Sequence, residues 1–190
     1  MKSLSKTITN YLIKKEIQDE KLKDETIYGL EMIISSIIFY ITIILISFIC
    51  KINIVITIVF VMTFKTMRRF NGGFHFNNKV LCFVSSTLLF QNILLFSKYV
   101  NLNDRCELIA NIISVCIVIF LAPCNDANIN LSKHEYMLCK KFSRMSSIII
   151  LCLYTIIKYI FLFESIGQCI SLAMYLNVIL LILGKIKEKR

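Results

Sequence analysis

No stretch of this 190-residue chain is both polar and long enough to bury a core of its own, so an appended soluble domain is not expected. Charge is scarce: 18% of residues are Asp, Glu, Lys or Arg, where a soluble domain carries about a quarter. No C-x-x-C pair is present among the eight cysteines, which argues against a membrane thiol oxidoreductase. No H-E-x-x-H or equivalent pattern is present either, which removes the commonest sequence sign of a zinc peptidase. No apolar h-region follows an early basic cluster, so no cleavable signal peptide is expected. Internal repeats, low-complexity tracts and linkers are also lacking.

What fills the chain is apolar sequence. Hydrophobic residues make up 57%, with a mean hydropathy of +0.72. They fall into six runs: Met32–Cys50, Ile52–Phe64, Val80–Val100, Leu108–Ala122, Ser146–Phe163 and Ile166–Leu183. Crossing roughly 30 Å of hydrocarbon takes about 20 helical residues. Four runs come near that length. Ile52–Phe64 and Leu108–Ala122 are short, and Pro123 ends the latter. The fold class expected is an all-α, polytopic membrane bundle of six apolar segments forming a single membrane-embedded domain over 1–190; the short second segment must borrow flanking residues, thin the bilayer locally or enter without fully crossing.

Charge orients the runs. Six crossings place 1–31, 65–79, 123–145 and 184–190 on one side; these hold six, four, four and four Lys or Arg, 18 of the 22. That bias puts both termini in the cytoplasm of a multi-pass protein of the cell membrane. Within 1–31, Leu4, Ile8, Tyr11, Leu12 and Ile17 recur near helical spacing, which predicts an amphipathic helix lying in the membrane interface against lipid. Lys158 is the one basic residue inside the later runs, and Glu164 lies just beyond that run; snorkelling accounts for the lysine.

The chemistry-bearing segment is Met67-Arg68-Arg69-Phe70-Asn71-Gly72-Gly73-Phe74-His75-Phe76-Asn77-Asn78-Lys79-Val80-Leu81-Cys82. An imidazole takes a thiol's proton at the moment of attack, so His75 and Cys82 are candidates for the base and the nucleophile of a cysteine peptidase. On one continuous helix, residues seven apart are separated by about 10 Å along the axis, whereas proton transfer needs about 3 Å. The pair works only if the helix breaks between them. Gly72-Gly73 permits a bend, and Asn77 or Asn78 suits the N-cap of the run that holds Cys82. A helix N-terminus is a favourable place for a thiolate, and Arg68, Arg69 and Lys79 add positive potential. Asn71, Asn77 and Asp126 are available to orient the imidazole, and each also suits a cap, turn or loop. Cys50, Cys106, Cys116, Cys152 and Cys169 lie in or beside apolar runs and read as small hydrophobes.

This stretch resembles the accessory gene regulator B (AgrB) family, whose signature is an Arg-Arg pair, a Gly-Gly, a His, and a Cys seven residues after the His. Here these are Arg68-Arg69, Gly72-Gly73, His75 and Cys82. Ala122-Pro123 ahead of a polar loop with Asp126 and Asn128, and the later Lys140-Lys141, are a second family-like feature; where the family often has a proline, this chain has Ile129-Asn130-Leu131. The resemblance implies a membrane cysteine endopeptidase of peptide quorum sensing, acting on an AgrD-like precursor peptide. Cys82 would form a thioester with the signal segment as the C-terminal tail leaves, and a thiolactone or lactone would close on it. Arg68, Arg69, Gly72, Gly73 and Lys79 are the candidate substrate-binding residues. A homodimer is implied by the resemblance alone. No cofactor and no nucleic acid are expected.

Three other readings stand beside this one. His75 with Cys82 and His134 with Cys139 would make a Cys2His2 zinc site, but neither spacing is a zinc pattern, and no metal is expected. A transporter would carry ionisable residues at mid-membrane, where only Lys158 qualifies. A non-enzymatic anchor would tolerate Cys82→Ser.

Overall fold

The computed structural model describes residues 2–15, 17, 19–74, 76, 78–99, 103–124 and 132–188. Among them there are helices and no strands. In order these are α1 (Lys2–Lys14), a 3-10 turn (Glu20–Leu22), α2 (Lys23–Ile49), α3 (Ile54–Asn71), α4 (Lys79–Tyr99), α5 (Asp104–Leu121), α6 (Lys133–Thr155) with a π-helical extension (Ile156–Ile160), and α7 (Glu164–Glu188). The six apolar runs correspond to α2 through α7. By length and composition, four helices can cross a membrane: α2, α4 from Val80, α6 with its π segment, and α7. The short runs α3 and α5 are not among them.

Two compact units make up the chain, Met1–Leu45 and Ile46–Arg190. In the first, α1 leaves Leu4 and Tyr11 exposed while Ser5 and Thr9 are buried.

Helix ends in the second unit follow local chemistry. Asn53 and Asn103 cap α3 and α5 by accepting from Val55 N (2.9 Å) and Arg105 N (3.1 Å). Ser132 and Glu135 form a reciprocal capping box, 3.3 and 2.8 Å, which starts α6 well before its apolar run. The polar half of 123–145, expected as loop, is therefore helical from Lys133. Lys65–Asn71 is likewise the last part of α3, and α4 starts at Lys79. Ala122 ends α5 in an extended conformation (φ −80°, ψ 150°), as the residue before Pro123 must.

Helix α7 lies at the centre of this unit, with α3, α5, α4 and α6 all packed on it. Its interior partners are polar as well as apolar. Phe90 of α4 meets Phe60 and Phe64 of α3 edge-on at 5.1 and 4.7 Å. Near the other end of α7, Lys158 corrects an expectation. It does not snorkel: it is 4% exposed, is ion-paired to Glu107 of α5, and lies 2.8 Å from Asp104. Ser171 of α7 donates to the Glu107 carboxylate at 2.6 Å, and Asn111 donates to Ser171 at 2.7 Å. Gly167 leaves the space that the lysine stem fills. The π-helical turn carries Lys158, in keeping with the use of such turns to re-aim a side chain inside an α-helix. Glu107 sits one residue ahead of the apolar run, where hydropathy alone does not mark it as buried.

Removing one member of a buried ion pair strands the other, at a cost of about 3–5 kcal/mol. Lys158→Met is expected to lower the thermal midpoint of the detergent-solubilised protein. Glu107→Leu combined with Lys158→Met is expected to recover much of that loss. Equal midpoints for wild type and Lys158→Met would show that the pair contributes nothing to stability.

Candidate functional site

The turn that follows α3 is held by backbone bonds to Cys124 and Leu180 and by the Arg68 guanidinium. Gly72 takes φ +65° and Gly73 φ +126°, values that favour glycine. Space requires glycine too. A methyl group on Gly72 would strike the Cys124 carbonyl, and one on Gly73 would strike the Arg68 guanidinium and lie 2.8 Å from Leu180 O. Asn71 O accepts from Cys124 N (2.9 Å), and Phe74 N donates to Leu180 O of α7 (2.8 Å). Arg68 closes the arrangement by donating to Gly72 O (2.6 Å) and to Phe74 O. The Phe74 ring meets Phe76 at 4.9 Å and lies 5.4 Å from Lys187 Nζ.

Asn71 is fully buried. Its amide donates to Asn177 Oδ1 (2.8 Å) and its carbonyl oxygen accepts from Ser143 Oγ (2.6 Å). One side chain at the end of α3 thus ties α7 and α6 together. Both ends of the amide are engaged in the core, which makes Asn71 a packing residue rather than an imidazole orienter.

Asn78 caps α4, its side chain accepting from Val80 N at 2.9 Å and Leu81 N at 3.4 Å. Cys82 is the fourth residue of that helix, half-buried, and its N–H donates to Asn78 O at 2.9 Å. Lys79 is the first residue of α4. Arg69 is exposed at the end of α3, with its guanidinium 5.7 Å from the Phe70 ring centroid. His75, Asn77 and Asp126 lie outside the described residues, as do Asn128 and Ile129-Asn130-Leu131. The structure brings Arg68, Gly72 and Gly73 together against α7.

A second thiol borders the same segment. Cys124 is buried beside Gly72, with Sγ 3.6 Å from Glu188 Oε2. Burial first, then the Glu188 carboxylate, pushes this thiol above its ordinary pKa. His134 is exposed in the first turn of α6, and Cys139 is half-buried one turn on. Among the described residues, no three His, Cys, Asp or Glu converge as metal ligands would.

With that geometry in view, comparison with known families is decisive. The pattern described as accessory gene regulator B matches residues 5–181. This chain belongs to the accessory gene regulator B family. The match covers the Arg-Arg, Gly-Gly, His and Cys positions and all helices from α1 into α7. Membership makes it a membrane protein of peptide quorum sensing that acts with a propeptide, in general terms. No curated protein matches. No solved structure matches.

Sequence reasoning did not find the Asn177 and Ser143 partners of Asn71, the contact of Cys124 with Gly72, or the place where α7 meets Gly73. All join residues far apart in the chain. The one local signal is the Gly-Gly pair itself, which marks a close approach of backbones without saying to what.

Replacing Asn71 with Leu leaves Asn177 Oδ1 and the Ser143 hydroxyl without their partner in the core. Each orphaned group costs about 1–3 kcal/mol. Asn71→Leu is expected to lower the thermal midpoint measurably in detergent, and an unchanged midpoint would show that the network carries no stability.

Proposed function

We propose that this protein is a membrane cysteine endopeptidase that removes the C-terminal tail of an AgrD-like propeptide and promotes cyclisation of the signal segment. The observation that carries the reading is the helix break between the two candidate groups. Helix α3 ends at Asn71 and α4, which holds Cys82, begins at Lys79 under an Asn78 cap, so no single helix runs through from α3 to Cys82. A continuous helix would hold them about 10 Å apart along its axis, and the break removes that bar to proton transfer. The family match over residues 5–181 supports the assignment of both residues.

In the proposed reaction, His75 accepts the thiol proton as Cys82 Sγ attacks the carbonyl of the bond preceding the tail. The C–N bond then breaks. His75 returns the proton to the leaving amine, and the tail departs with a free amino terminus. The signal segment stays on Cys82 as a thioester. A thiol or hydroxyl inside that segment attacks the thioester carbonyl, Cys82 leaves as the thiol, and the ring closes as a thiolactone or lactone. Exchange between thioesters is nearly isoenergetic, so the protein's contribution is to hold the attacking group close and keep water away. Such positioning is worth about 7–11 kcal/mol of barrier. The Lys and Arg count made for six crossings supports a cytoplasmic edge for this chemistry, with both termini on that side. Arg69 and Lys79 supply positive potential for the precursor there, and Arg68 holds the segment that leads to His75.

Mass spectrometry of cells co-expressing this chain and its candidate precursor tests the reading. Wild type is expected to release the tail, and Cys82→Ala and His75→Ala to release none. Cys82→Ser is expected to lose most activity, because a hydroxyl is a far weaker nucleophile than a thiol. Tail release by Cys82→Ala would overturn the mechanism.

A further inference from the structure

Helix α7 carries a notch, and the segment leading to His75 is seated in it. A side chain in an α-helix tilts toward the N-terminus, so the residue at i+4 overhangs the carbonyl of residue i. Position 184 stands in that relation to Leu180, and position 184 is glycine. Leu180 O, inside α7, is thereby left open to a second donor, and it accepts the Phe74 N–H at 2.8 Å. The approach is closer than any side chain permits. A methyl group on Gly184 would lie 2.7 Å from Gly73 Cα, from the Gly73 carbonyl carbon and from Phe74 N. All three are backbone atoms, which cannot turn aside as a flexible side chain does. From the other side, Arg68 holds the carbonyls of Gly72 and Phe74. Glycine inside a helix is disfavoured by about 1 kcal/mol relative to alanine, so α7 forgoes helix stability at this position.

We infer that Gly184 is a positioning residue for catalysis: its missing side chain seats Gly73 and Phe74 on α7 and so fixes the point from which His75 departs. This rests on the peptidase reading above. The link is covalent, since consecutive Cα atoms are about 3.8 Å apart, so moving Phe74 off α7 moves the origin of the imidazole. A displacement of about 1 Å at a catalytic group costs up to about 10²-fold in rate.

The test uses the full chain in detergent, with Gly184→Ala as the principal variant and Arg68→Lys as the second. The lysine keeps the charge but cannot reach two carbonyls as a fork, so it loosens the same segment without touching α7. Three quantities are read: hydrogen exchange at the Phe74 amide, kcat and KM for tail release, and the pH profile of Cys82 alkylation by iodoacetamide, followed on its own peptide by mass spectrometry. Both variants are expected to speed exchange at Phe74 and to lower kcat by about 10–100-fold. KM should change little, and the alkylation profile should shift toward that of His75→Ala. Unchanged exchange in Gly184→Ala would show that no seat exists there. Faster exchange with undiminished kcat would overturn the positioning role while leaving the seat. If His75→Ala itself altered neither tail release nor the alkylation profile, the peptidase reading would fail and the positioning role with it. Should Gly184→Ala not fold, Arg68→Lys with normal kcat and rapid exchange at Phe74 would overturn the proposal equally.

Discussion

In hydrocarbon an apolar side chain gains little by leaving lipid for protein, so a membrane bundle is held by close packing and by polar groups that find one another. Residues 46–190 follow that rule around α7. Its buried face offers Gln168, Ser171 and Asn177 among apolar residues, and Gly167 and Gly184 where something must come close. Ser171 meets the Glu107–Lys158 pair, Asn177 meets Asn71, and Gly184 meets the Gly-Gly turn. These three contacts succeed one another along a single helix, and between them they fix α3, α5, α6 and the segment 72–74 to one axis.

The same constraint shapes the candidate site. Irregular backbone at the edge of a membrane is tolerable only where its polar groups are satisfied by protein or water. In the turn after α3, Asn71 O, Gly72 O, Phe74 N and Phe74 O each have a protein partner, drawn from Cys124, Arg68 and Leu180. An arginine that reads as a substrate ligand in the sequence thus has a structural use first. Its fork geometry suits two carbonyls as well as it suits a carboxylate. Arg69 beside it is exposed, its guanidinium 5.7 Å from the Phe70 ring centroid.

Much of the fold was legible because lipid imposes a one-dimensional rule. Length and hydropathy placed α2 through α7 in order, and Asn78 and the Gly-Gly pair marked the break between α3 and α4. What hydropathy misplaced was every polar residue turned inward. Lys158 reads as a snorkelling lysine because its partner, Glu107, is 51 residues away in the chain. Asn71 reads as a turn residue because Asn177 is 106 residues away. Helix starts set by capping, such as Ser132 ahead of α6, extend elements beyond their apolar runs for a local reason that a hydropathy window averages out. The candidate pair was posed by the sequence for the opposite reason, and His75 lies outside the described residues. His75 and Cys82 lie close in sequence, and simple helix geometry says what must happen between them.

Among eight cysteines, the structure separates the candidate nucleophile from its neighbours by environment. Cys169 is buried in the core, and Cys106, Cys116 and Cys152 are exposed on helices in or beside apolar runs. Cys124, the thiol that borders the turn itself, is pushed above its ordinary pKa by burial and by Glu188. Cys82 is half-buried, as are Cys50 and Cys139, and of these it is the one that follows a capped helix start directly after the pinned turn. Cys124 thus sits under Gly72 with the Glu188 carboxylate against its sulfur, while its N–H anchors the turn through Asn71 O.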